Sequence, residues 1–299
     1  MNWKKLLVSP PPSSAWMLGN DRLVLGVRGR KAGLRGGVRS VGEGVFQTGP
    51  VGLQGVERSA LVPLLLGLND ELGGGKRPAV ALPTAWTRYQ LFELQGLPKK
   101  RAEAEDVVRW RLKKMLPVPP SDLRIDLVRY PDQEDRERVL VAMILDRAAT
   151  ELEAAFEEAG LVPGVLVPRL FLLGEGGAGW LLVMEAGPDG LGILVHENGS
   201  PRAARFRTVV PGRGVEGTAA AELRLLGVFL RENLGVPEEA PIHVRICSDD
   251  EALRSEIEEL VGEAAGFEVL EEAAPPEVPG VEAGRATRRA LYALVGRAG

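Results

Sequence analysis

The sequence has a single cysteine, Cys247, and only two histidines, His196 and His243. One cysteine excludes an internal disulfide and a cysteine-rich metal site, and two histidines provide few ligands for a multi-histidine metal centre. Both histidines fall inside strand patterns, and Cys247 lies near the end of an apolar strand, so we assign all three a structural role. The low cysteine content fits a reducing compartment.

Long hydrophobic runs are missing as well. No segment approaches the roughly 20 apolar residues that a membrane-spanning helix needs. The apolar run near the N-terminus stops at the segment SPPPSS, before it reaches the length of a signal-peptide core. We therefore interpret residues 1–20 as a flexible or loosely docked N-terminus.

The chain also lacks a strong excess of charge of either sign, because its net charge is −4 over 299 residues. Such a weak net charge gives no electrostatic basis for binding nucleic acid. Hydrophobic residues make up 45% and charged residues 26%, which is the balance of a globular protein with one large or two ordinary domains.

Motifs of several common enzyme classes are absent. The glycine-rich residues 174–180 lack the Lys-Ser/Thr pair of a P-loop, and residues 212–217 lack the spacing of a dinucleotide-binding turn. No serine lies in a G-x-S-x-G motif. None of these motifs therefore supports an enzymatic function.

What the sequence does contain is a similar order of strands and helices in its two halves. The first half has predicted strands at 23–27, 78–83, 88–94, 123–127 and 138–145, and predicted helices at 57–75, 101–116 and 147–160. The second half has predicted strands at 180–187, 191–199, 201–209, 241–249 and 267–272, and predicted helices at 215–235, 251–266 and 284–299. This order predicts two α/β lobes of related plan.

The segment 101–127 has no side chains suited to catalysis, yet its structure is strongly encoded. An apolar seam recurs at helical spacing and predicts a helix with one buried face, formed by Ala104, Val108, Leu112 and Met115. Pro117 ends this helix, and alternating apolar residues then predict a strand. We conclude that the segment serves structure or binding rather than chemistry.

Four short motifs follow one another within residues 78–168. They are Leu82 with Pro83 ending a strand, Leu116 with Pro117 ending a helix, Asp126 on the next strand, and Ala159, Gly160 and Leu161 after a helix. In this order they resemble the motifs of the PilM family. PilM is the actin-like cytoplasmic protein of the type IV pilus inner-membrane assembly platform. The resemblance covers roughly residues 20–298 and is specific within about 78–168.

This resemblance implies a two-lobed actin-like α/β fold, also called ribonuclease H-like, with a small inserted α+β subdomain. The first lobe would be 21–174 with the insertion at about 84–137, and the second lobe would be 175–299. A scaffold in the cytoplasm, peripheral at the inner membrane, is implied, without a transmembrane segment of its own. The cytoplasmic part of GspL, from type II secretion, has a similar plan and stays as an alternative, and FtsA is more distant.

The resemblance also implies partners. A PilM-like scaffold would bind the cytoplasmic N-terminal peptide of a PilN-like single-span membrane protein, and pilus motor ATPases are left open as further partners. A helix on a small sheet suits an extended peptide. The candidate partner-binding residues are the cations Arg109, Arg111, Lys113 and Lys114, opposite the apolar seam. The alternative for Lys113 and Lys114 is a favourable interaction with the helix dipole in the last turn.

Actin-like ATPases hold phosphates between two Asp-x-Gly hairpins, so the resemblance implies where a nucleotide site would lie. We place the first hairpin in residues 23–33, where the expected acid falls at or near Arg28. The candidate residues there are Gly26, Arg28, Gly29 and Lys31, with the cations facing phosphate or solvent.

In the second hairpin Glu185 stands where aspartate is usual, followed by Gly187, Asp189 and Gly190. The longer side chain displaces the carboxylate, and Mg²⁺ tolerates such displacement badly. Glu222 is the candidate on the adenosine side, with a solvated helix face as the alternative.

These substitutions predict a degenerate site that binds nucleotide weakly or not at all and has no catalytic residue. ATP or ADP with Mg²⁺ is left open as a cofactor. The alternatives are an active ATPase whose nucleotide state gates partner binding, and a sugar-kinase-like enzyme, which needs an acidic motif that residues 21–60 do not supply.

Overall fold

The part of the chain that the structure describes contains fifteen strands and seven α-helices. The structure is a computed structural model and describes residues 12–29, 33–131, 136–174, 178–209 and 211–295. The strands of the first half are β1 (Ser14–Leu18), β2 (Arg22–Arg28), β3 (Leu34–Ser40), β4 (Phe46–Gly49), β5 (Gly52–Val56), β6 (Ala79–Leu82), β7 (Arg88–Gln95), β8 (Leu123–Pro131), β9 (Arg136–Leu145) and β10 (Val165–Pro168). Its helices are α1 (Arg58–Leu72), α2 (Arg101–Leu112), α3 (Asp146–Glu158) and α4 (Arg169–Leu173).

The second half contains fewer and longer elements. Its strands are β11 (Trp180–Gly187), β12 (Gly190–Glu197), β13 (Ser200–Thr208), β14 (Ile242–Ser248) and β15 (Phe267–Val269). Its helices are α5 (Gly214–Leu234), α6 (Glu251–Glu263) and α7 (Arg285–Val295). No helix of the described residues combines the length and apolar character that a membrane span requires.

Two five-stranded sheets repeat one topology. The first sheet has the order β10-β6-β1-β2-β3 and the second has the order β15-β14-β11-β12-β13. Each sheet contains an antiparallel meander of three strands. The first strand of the meander also pairs with a strand that runs parallel to it, and that strand pairs in turn with a second parallel strand. The prediction of two α/β lobes with related plans is therefore confirmed, and β1 corresponds to β11, β2 to β12, and β6 to β14.

Strand β1 lies at the centre of the first sheet, between β2 and β6. All five of its residues are buried, and the ring of Trp16 meets the edge of Phe156 with centroids 6.0 Å apart. The prediction of a flexible segment 1–20 is thus wrong for Ser14–Leu18, while residues 1–11 lie outside the described residues. Five residues after a proline run give too short a pattern to be recognised locally. The strand is held by a hairpin with β2 on one side and by pairing with the distant β6 on the other.

The inserted subdomain consists of a three-stranded antiparallel sheet, β7-β9-β8, covered on one face by α2. In chain order it lies between β6 and β10 of the first sheet. Its predicted end at residue 137 is wrong, because β9 continues to Leu145 and pairs with both of its neighbours. The insertion therefore ends where α3 begins.

Helix α2 is shorter than its sequence pattern predicts. Ala104, Val108 and Leu112 are buried as expected, but Met115 is 51% exposed. The helix ends at Leu112, so Lys113 and Lys114 lie in the turn after it rather than in its last turn. Pro117 disfavours helical backbone at the residue before it, and the chain leaves the helix ahead of that position.

The closing helix α7 returns to the first lobe, although chain order assigned residues 284–299 to the second. It packs on β1, β2 and α4, and it buries Ala286, Ala290, Leu291, Leu294 and Val295. A Cβ atom at Gly26 would lie 2.9 Å from Leu291 Cδ2, so this close approach requires glycine on β2. The C-terminal helix therefore ties the second half of the chain to the first sheet.

Candidate functional site: the cleft between the lobes

A cleft of about 680 Å³ lies between the two lobes, at the turns that join β1 to β2 and β11 to β12. Residues 17–22 line it from the first lobe, and residues 186–189 line it from the second. The first turns of α5 and α6 complete the wall. An actin-like nucleotide site would occupy this position, since both hairpins and two helix N-termini meet here.

The repeated topology identifies which turn is the true counterpart of the second hairpin. Leu18 pairs with Leu23 across the first turn, and Ala186 pairs with Leu191 across the second. Four residues separate the partners in both cases. The two turns can therefore be superimposed residue by residue.

This superposition places an apolar side chain where the first acid would be. Met17 corresponds to Glu185, Gly19 to Gly187, and Asp21 to Asp189. Met17 is 2% exposed and belongs to the core beneath α7. The first hairpin thus keeps its glycine but has no carboxylate able to hold Mg²⁺ at the equivalent position.

The predicted first hairpin, residues 23–33, is therefore wrong. It joins β2 to β3, and Arg28 lies at the far end of β2, about 20 Å along the strand from the cleft at about 3.3 Å per residue. Gly26 packs under Leu291, and the backbone N–H of Gly29 donates to the carbonyl oxygen of Gly33 at 2.9 Å. Lys31 lies outside the described residues.

Glu185 is in the cleft region, but it is buried and already bound. Its side chain is 4% exposed, and Nε of Arg169 donates to its Oε1 at 2.5 Å. The hydroxyl of Thr84, which follows β6, donates to its Oε2. Both carboxylate oxygens that could have served a metal ion therefore have protein partners.

Arg169 connects Glu185 to a second acid. Its Nη1 lies 3.3 Å from Oδ2 of Asp249, which follows β14. Asp249 in turn accepts hydrogen bonds from the backbone N–H of Thr287 at 2.8 Å and from its hydroxyl at 2.6 Å. Burial lowers the pKa of Arg169, but the carboxylates of Glu185 and Asp249 outweigh burial and raise it above its ordinary value.

The two turns are bonded directly to each other across the cleft. Nδ2 of Asn20 donates to the carboxylate of Asp189 at 2.9 and 3.0 Å, and its Oδ1 accepts from Nε1 of Trp86 at 2.9 Å. Burial is the main cause of a raised pKa at Asp189, which the hydrogen bond from Asn20 partly opposes. The pair of Asn20 and Asp189 therefore joins the two turns directly.

The cleft carries an excess of negative charge. Its lining acids are Asp21, Asp189, Glu216, Asp249, Asp250 and Glu256, against the two cations Arg22 and Arg169. At the start of α6, the Asp250 carboxylate accepts from the backbone N–H groups of Ala252 and Leu253 at 2.9 and 3.2 Å. The donors that a phosphate would use at this helix are therefore already occupied.

These residues do not fit a Mg²⁺-bound nucleotide. The first acid is replaced by Met17, the second is held by Arg169, and the surrounding acids repel phosphate. Within the described residues, no group of three or more His, Cys, Asp or Glu side chains is arranged to hold a metal ion.

Two further candidates have structural partners. Glu222 is 5% exposed and pairs with Arg205 and with Arg207, whose Nε lies 2.8 Å from its Oε1. It therefore fixes α5 to β13 instead of lining the cleft or facing solvent. Gly190 has φ of 144°, and a Cβ there would lie 2.0 Å from the carbonyl oxygen of Arg207, so the turn itself requires glycine.

The candidate partner-binding cations divide into two groups. Arg109 is half-buried and donates through Nη1 to the carbonyl oxygens of Pro120 and Leu123, so its role is to hold the chain after α2. Arg111, Lys113 and Lys114 are exposed. The expectation that all four cations face a partner is thus wrong for Arg109.

Sequence reasoning missed two apolar side chains beside these cations. Trp110 is 68% exposed and Met115 is 51% exposed. The guanidinium carbon of Arg111 lies 5.7 Å from the centre of the Trp110 ring. We call Trp110, Arg111, Lys113, Lys114 and Met115 the α2 patch. Trp110 was detectable, since a large aromatic residue next to the cations falls outside the spacing of the buried seam.

Comparison with known proteins supports the fold. No family model and no curated protein matches the sequence. A solved chain of the PilM–PilN type IV pilus biogenesis complex aligns with 96% of this chain and 98% of its own, at 21% identity and a TM-score of 0.73. A Bacteroides thetaiotaomicron protein with an actin-like ATPase fold and unknown function aligns over 90% and 93%, at 11% identity and 0.50.

A third comparison is weaker. The cytoplasmic domain of EpsL, an inner-membrane component of the Vibrio cholerae type II secretion system, aligns over 94% and 93% at 10% identity and a TM-score of 0.47. The resemblance to PilM expected from the sequence is confirmed at the level of the fold. The chain has the two-lobed actin-like ATPase fold with an inserted α+β subdomain.

Proposed function

We propose that this protein is a non-catalytic scaffold of a type IV pilus inner-membrane assembly platform, located in the cytoplasm and peripheral at the membrane. Its partner would be the cytoplasmic N-terminal peptide of a PilN-like membrane protein, with pilus motor ATPases as further candidate partners. The observation that carries this proposal is the agreement in fold, over 96% of this chain, with a chain of the PilM–PilN complex at a TM-score of 0.73.

The state of the cleft supports a scaffold rather than an ATPase. Arg169 forms ion pairs with both Glu185 and Asp249, and Asn20 joins the two turns by a hydrogen bond to Asp189. These contacts hold the lobes together without a ligand. A platform component that must present a constant surface to its partners benefits from such a fixed shape.

The α2 patch supports a peptide partner. Exposed tryptophan beside arginine is the composition that carries most binding energy in protein interfaces. Trp110 and Met115 offer apolar contacts, while Arg111, Lys113 and Lys114 add three positive charges. We therefore propose that the patch receives a peptide with an apolar anchor and neighbouring acids.

Calorimetric titration with the synthetic N-terminal peptide of the PilN-like protein from the same organism tests this proposal. Trp110→Ala combined with Lys113→Glu and Lys114→Glu should weaken binding by about tenfold or more, that is by about 1.4 kcal/mol. The matched control is Lys99→Glu with Lys100→Glu, at the exposed opposite end of α2, which should bind like the wild type.

Each outcome has a distinct meaning. If the control loses as much peptide affinity as the patch variant, the effect comes from net charge alone. If the patch variant keeps its affinity, the peptide binds to another face of the protein. If the wild-type protein does not bind the PilN-like peptide, the platform assignment is wrong. Tighter binding to the peptide of a type II secretion partner would favour the GspL-like alternative.

A further inference from the structure

Helix α5 has an apolar outer face that nothing in the described chain covers. Its inner face buries Leu223, Leu226 and Leu230, each 2% exposed or less. On the outside, Leu225 is 57% exposed and Val228 is 55% exposed. Large apolar side chains so exposed on one helix mark a surface that is more stable when covered.

The residues around Val228 make this face narrow and flat. Gly217 and Ala221 continue the stripe toward the N-terminus of α5, while Arg224 and Glu232 lie one turn to either side of Val228. At 100° per residue these five positions fall within about 80° of the helix circumference. Such a narrow stripe can lie against a single neighbouring helix.

Arg224 and Glu232 are charged but unpaired. Both are exposed, and neither has an ion pair or side-chain hydrogen bond in the part of the chain that the structure describes. They lie four residues before and four residues after Val228. The stripe therefore has an apolar centre with opposite charges at equal distances from it.

We propose that this face docks on the same face of a second copy of the chain, with the two α5 helices antiparallel. Packing centred on Val228 brings Arg224 of each copy level with Glu232 of the other, so both charge pairs form by symmetry. A parallel arrangement would instead set Arg224 beside Arg224. The pattern thus suits a closed two-fold interface.

The composition of the face favours a second copy over a membrane. A helix that lies on a membrane surface carries an excess of lysine and arginine beside its apolar stripe. Here the exposed charges on the stripe itself are one cation, Arg224, and one anion, Glu232. A single helix pair buries less than the roughly 1,200–2,000 Å² of a standard interface, so we expect a weak dimer that forms at high protein concentration.

Sedimentation of the full chain over a range of concentrations tests the proposal. Val228→Glu should abolish dimerisation, because two carboxylates would face each other on the symmetry axis. Its exposed position predicts an unchanged melting temperature, which checks that the variant folds. Leu66→Glu, at a 40% exposed apolar site on α1, is the matched control and should dimerise like the wild type.

A charge exchange gives a sharper readout. Arg224→Glu and Glu232→Arg should each raise the dimer dissociation constant by about tenfold, because each replaces two attractive pairs with repulsive ones. The double variant restores the opposite charges and should recover wild-type association. A wild type that stays monomeric at all concentrations, dimerisation of Val228→Glu, or a double variant without recovery would overturn the proposal.

This inference does not depend on the platform assignment. Dimerisation through α5 uses the second lobe, whereas the α2 patch lies on the inserted subdomain. Failure of the peptide titration therefore leaves the dimer test unaffected, and the reverse also holds.

Discussion

At the scale of single residues, Arg169 has the largest consequences. It brings a permanent positive charge between the carboxylates of Glu185 and Asp249. A buried carboxylate such as Glu185 is costly unless it is paired, and its two partners, Arg169 and Thr84, come from separate parts of the chain. The cleft is therefore stabilised by its own side chains.

Removing the guanidinium should expose this dependence. Arg169→Met leaves the carboxylate of Glu185 buried with only Thr84 as partner, and we expect a loss of roughly 3–5 kcal/mol in the free energy of unfolding. Urea denaturation measures the loss. Adding Glu185→Leu removes the orphaned charge and should recover most of the stability. A single variant as stable as the wild type would show that Glu185 does not need Arg169.

His196 on β12 gives a pH-dependent counterpart. The side chain is 5% exposed, and its burial is the main reason why its pKa falls from 6.5 to about 4, with a smaller contribution from the charge of Arg245. The folded state thus favours neutral histidine, which adds stability above pH 6.5 that is lost as the pH falls toward 4. Since each pKa unit corresponds to about 1.4 kcal/mol, the free energy of unfolding should fall by about 3 kcal/mol.

Stability measured from pH 7 to pH 4 checks this expectation. His196→Met cannot be protonated, so its stability should fall by about 3 kcal/mol less than that of the wild type over this range. The same change at His243, which is 41% exposed, is the control for replacing a histidine elsewhere on the sheet. Identical pH profiles for the wild type and His196→Met would contradict the assignment.

At the scale of elements, glycine is favourable at the end of a helix and unfavourable in its interior. Gly160 follows α3 with φ of +70°, a conformation that side chains with a Cβ adopt reluctantly. Gly67 lies exposed in the middle of α1 with ordinary helical backbone. A Cβ at either position would meet no atom within 4 Å, so only backbone preference distinguishes them.

The same substitution should therefore have opposite signs at the two sites. Gly160→Ala should destabilise the protein by about 1 kcal/mol, whereas Gly67→Ala should stabilise it by up to about 1 kcal/mol. Thermal melting of both variants provides the measurement, each serving as control for the other. Stabilisation by Gly160→Ala would mean that α3 does not end in this conformation.

The elements also show what the sequence could reveal. Helices such as α3 and strands such as β11 were predictable because their apolar periodicity is local. Strand β1 was not, because five residues carry too little pattern and their pairing with β6 spans more than 60 residues. The network around Arg169 was equally hidden, since Thr84, Glu185 and Asp249 are far apart in the chain.

One part of the candidate site had a signal that could have been used. The turn sequences MLGND and EAGPD share glycine at the third position and aspartate at the fifth. Comparing the two halves in this way would have located the first hairpin at β1–β2 and the substitution at Met17. The end of α2 and the inward role of Arg109 depend on backbone geometry after Leu112, which the sequence pattern does not encode.

At the scale of the whole molecule, three separate contacts join the lobes across the cleft. Asn20 binds Asp189, Thr84 binds Glu185, and Arg169 binds both Glu185 and Asp249. Helix α7 adds an apolar connection from the second half to the first sheet. An enzyme whose lobes close around a ligand needs lobes that can also move apart, and these contacts oppose such movement.

These contacts lead to an expectation about nucleotides. We expect no hydrolysis of ATP above background with Mg²⁺, and no rise in melting temperature with ATP or ADP. Entry of phosphates would require breaking the pair of Asn20 with Asp189 and placing negative charge among six acids. Since a ligand present at 100 times its dissociation constant adds about 2.7 kcal/mol of stability, an unchanged melting temperature at high nucleotide concentration is informative.

Phosphate release and thermal melting are measured together on the wild type, on Glu185→Ala and on Asn20→Ala. Because Asn20→Ala removes only the bridge between the turns, it tests whether closure alone excludes nucleotide. Turnover by the wild type that disappears in Glu185→Ala would contradict the scaffold proposal and favour an ATPase whose nucleotide state gates its partners. If ATP leaves the melting temperature of Asn20→Ala unchanged, then nucleotide is excluded by the chemistry of Met17 and Arg169 rather than by the closed turns.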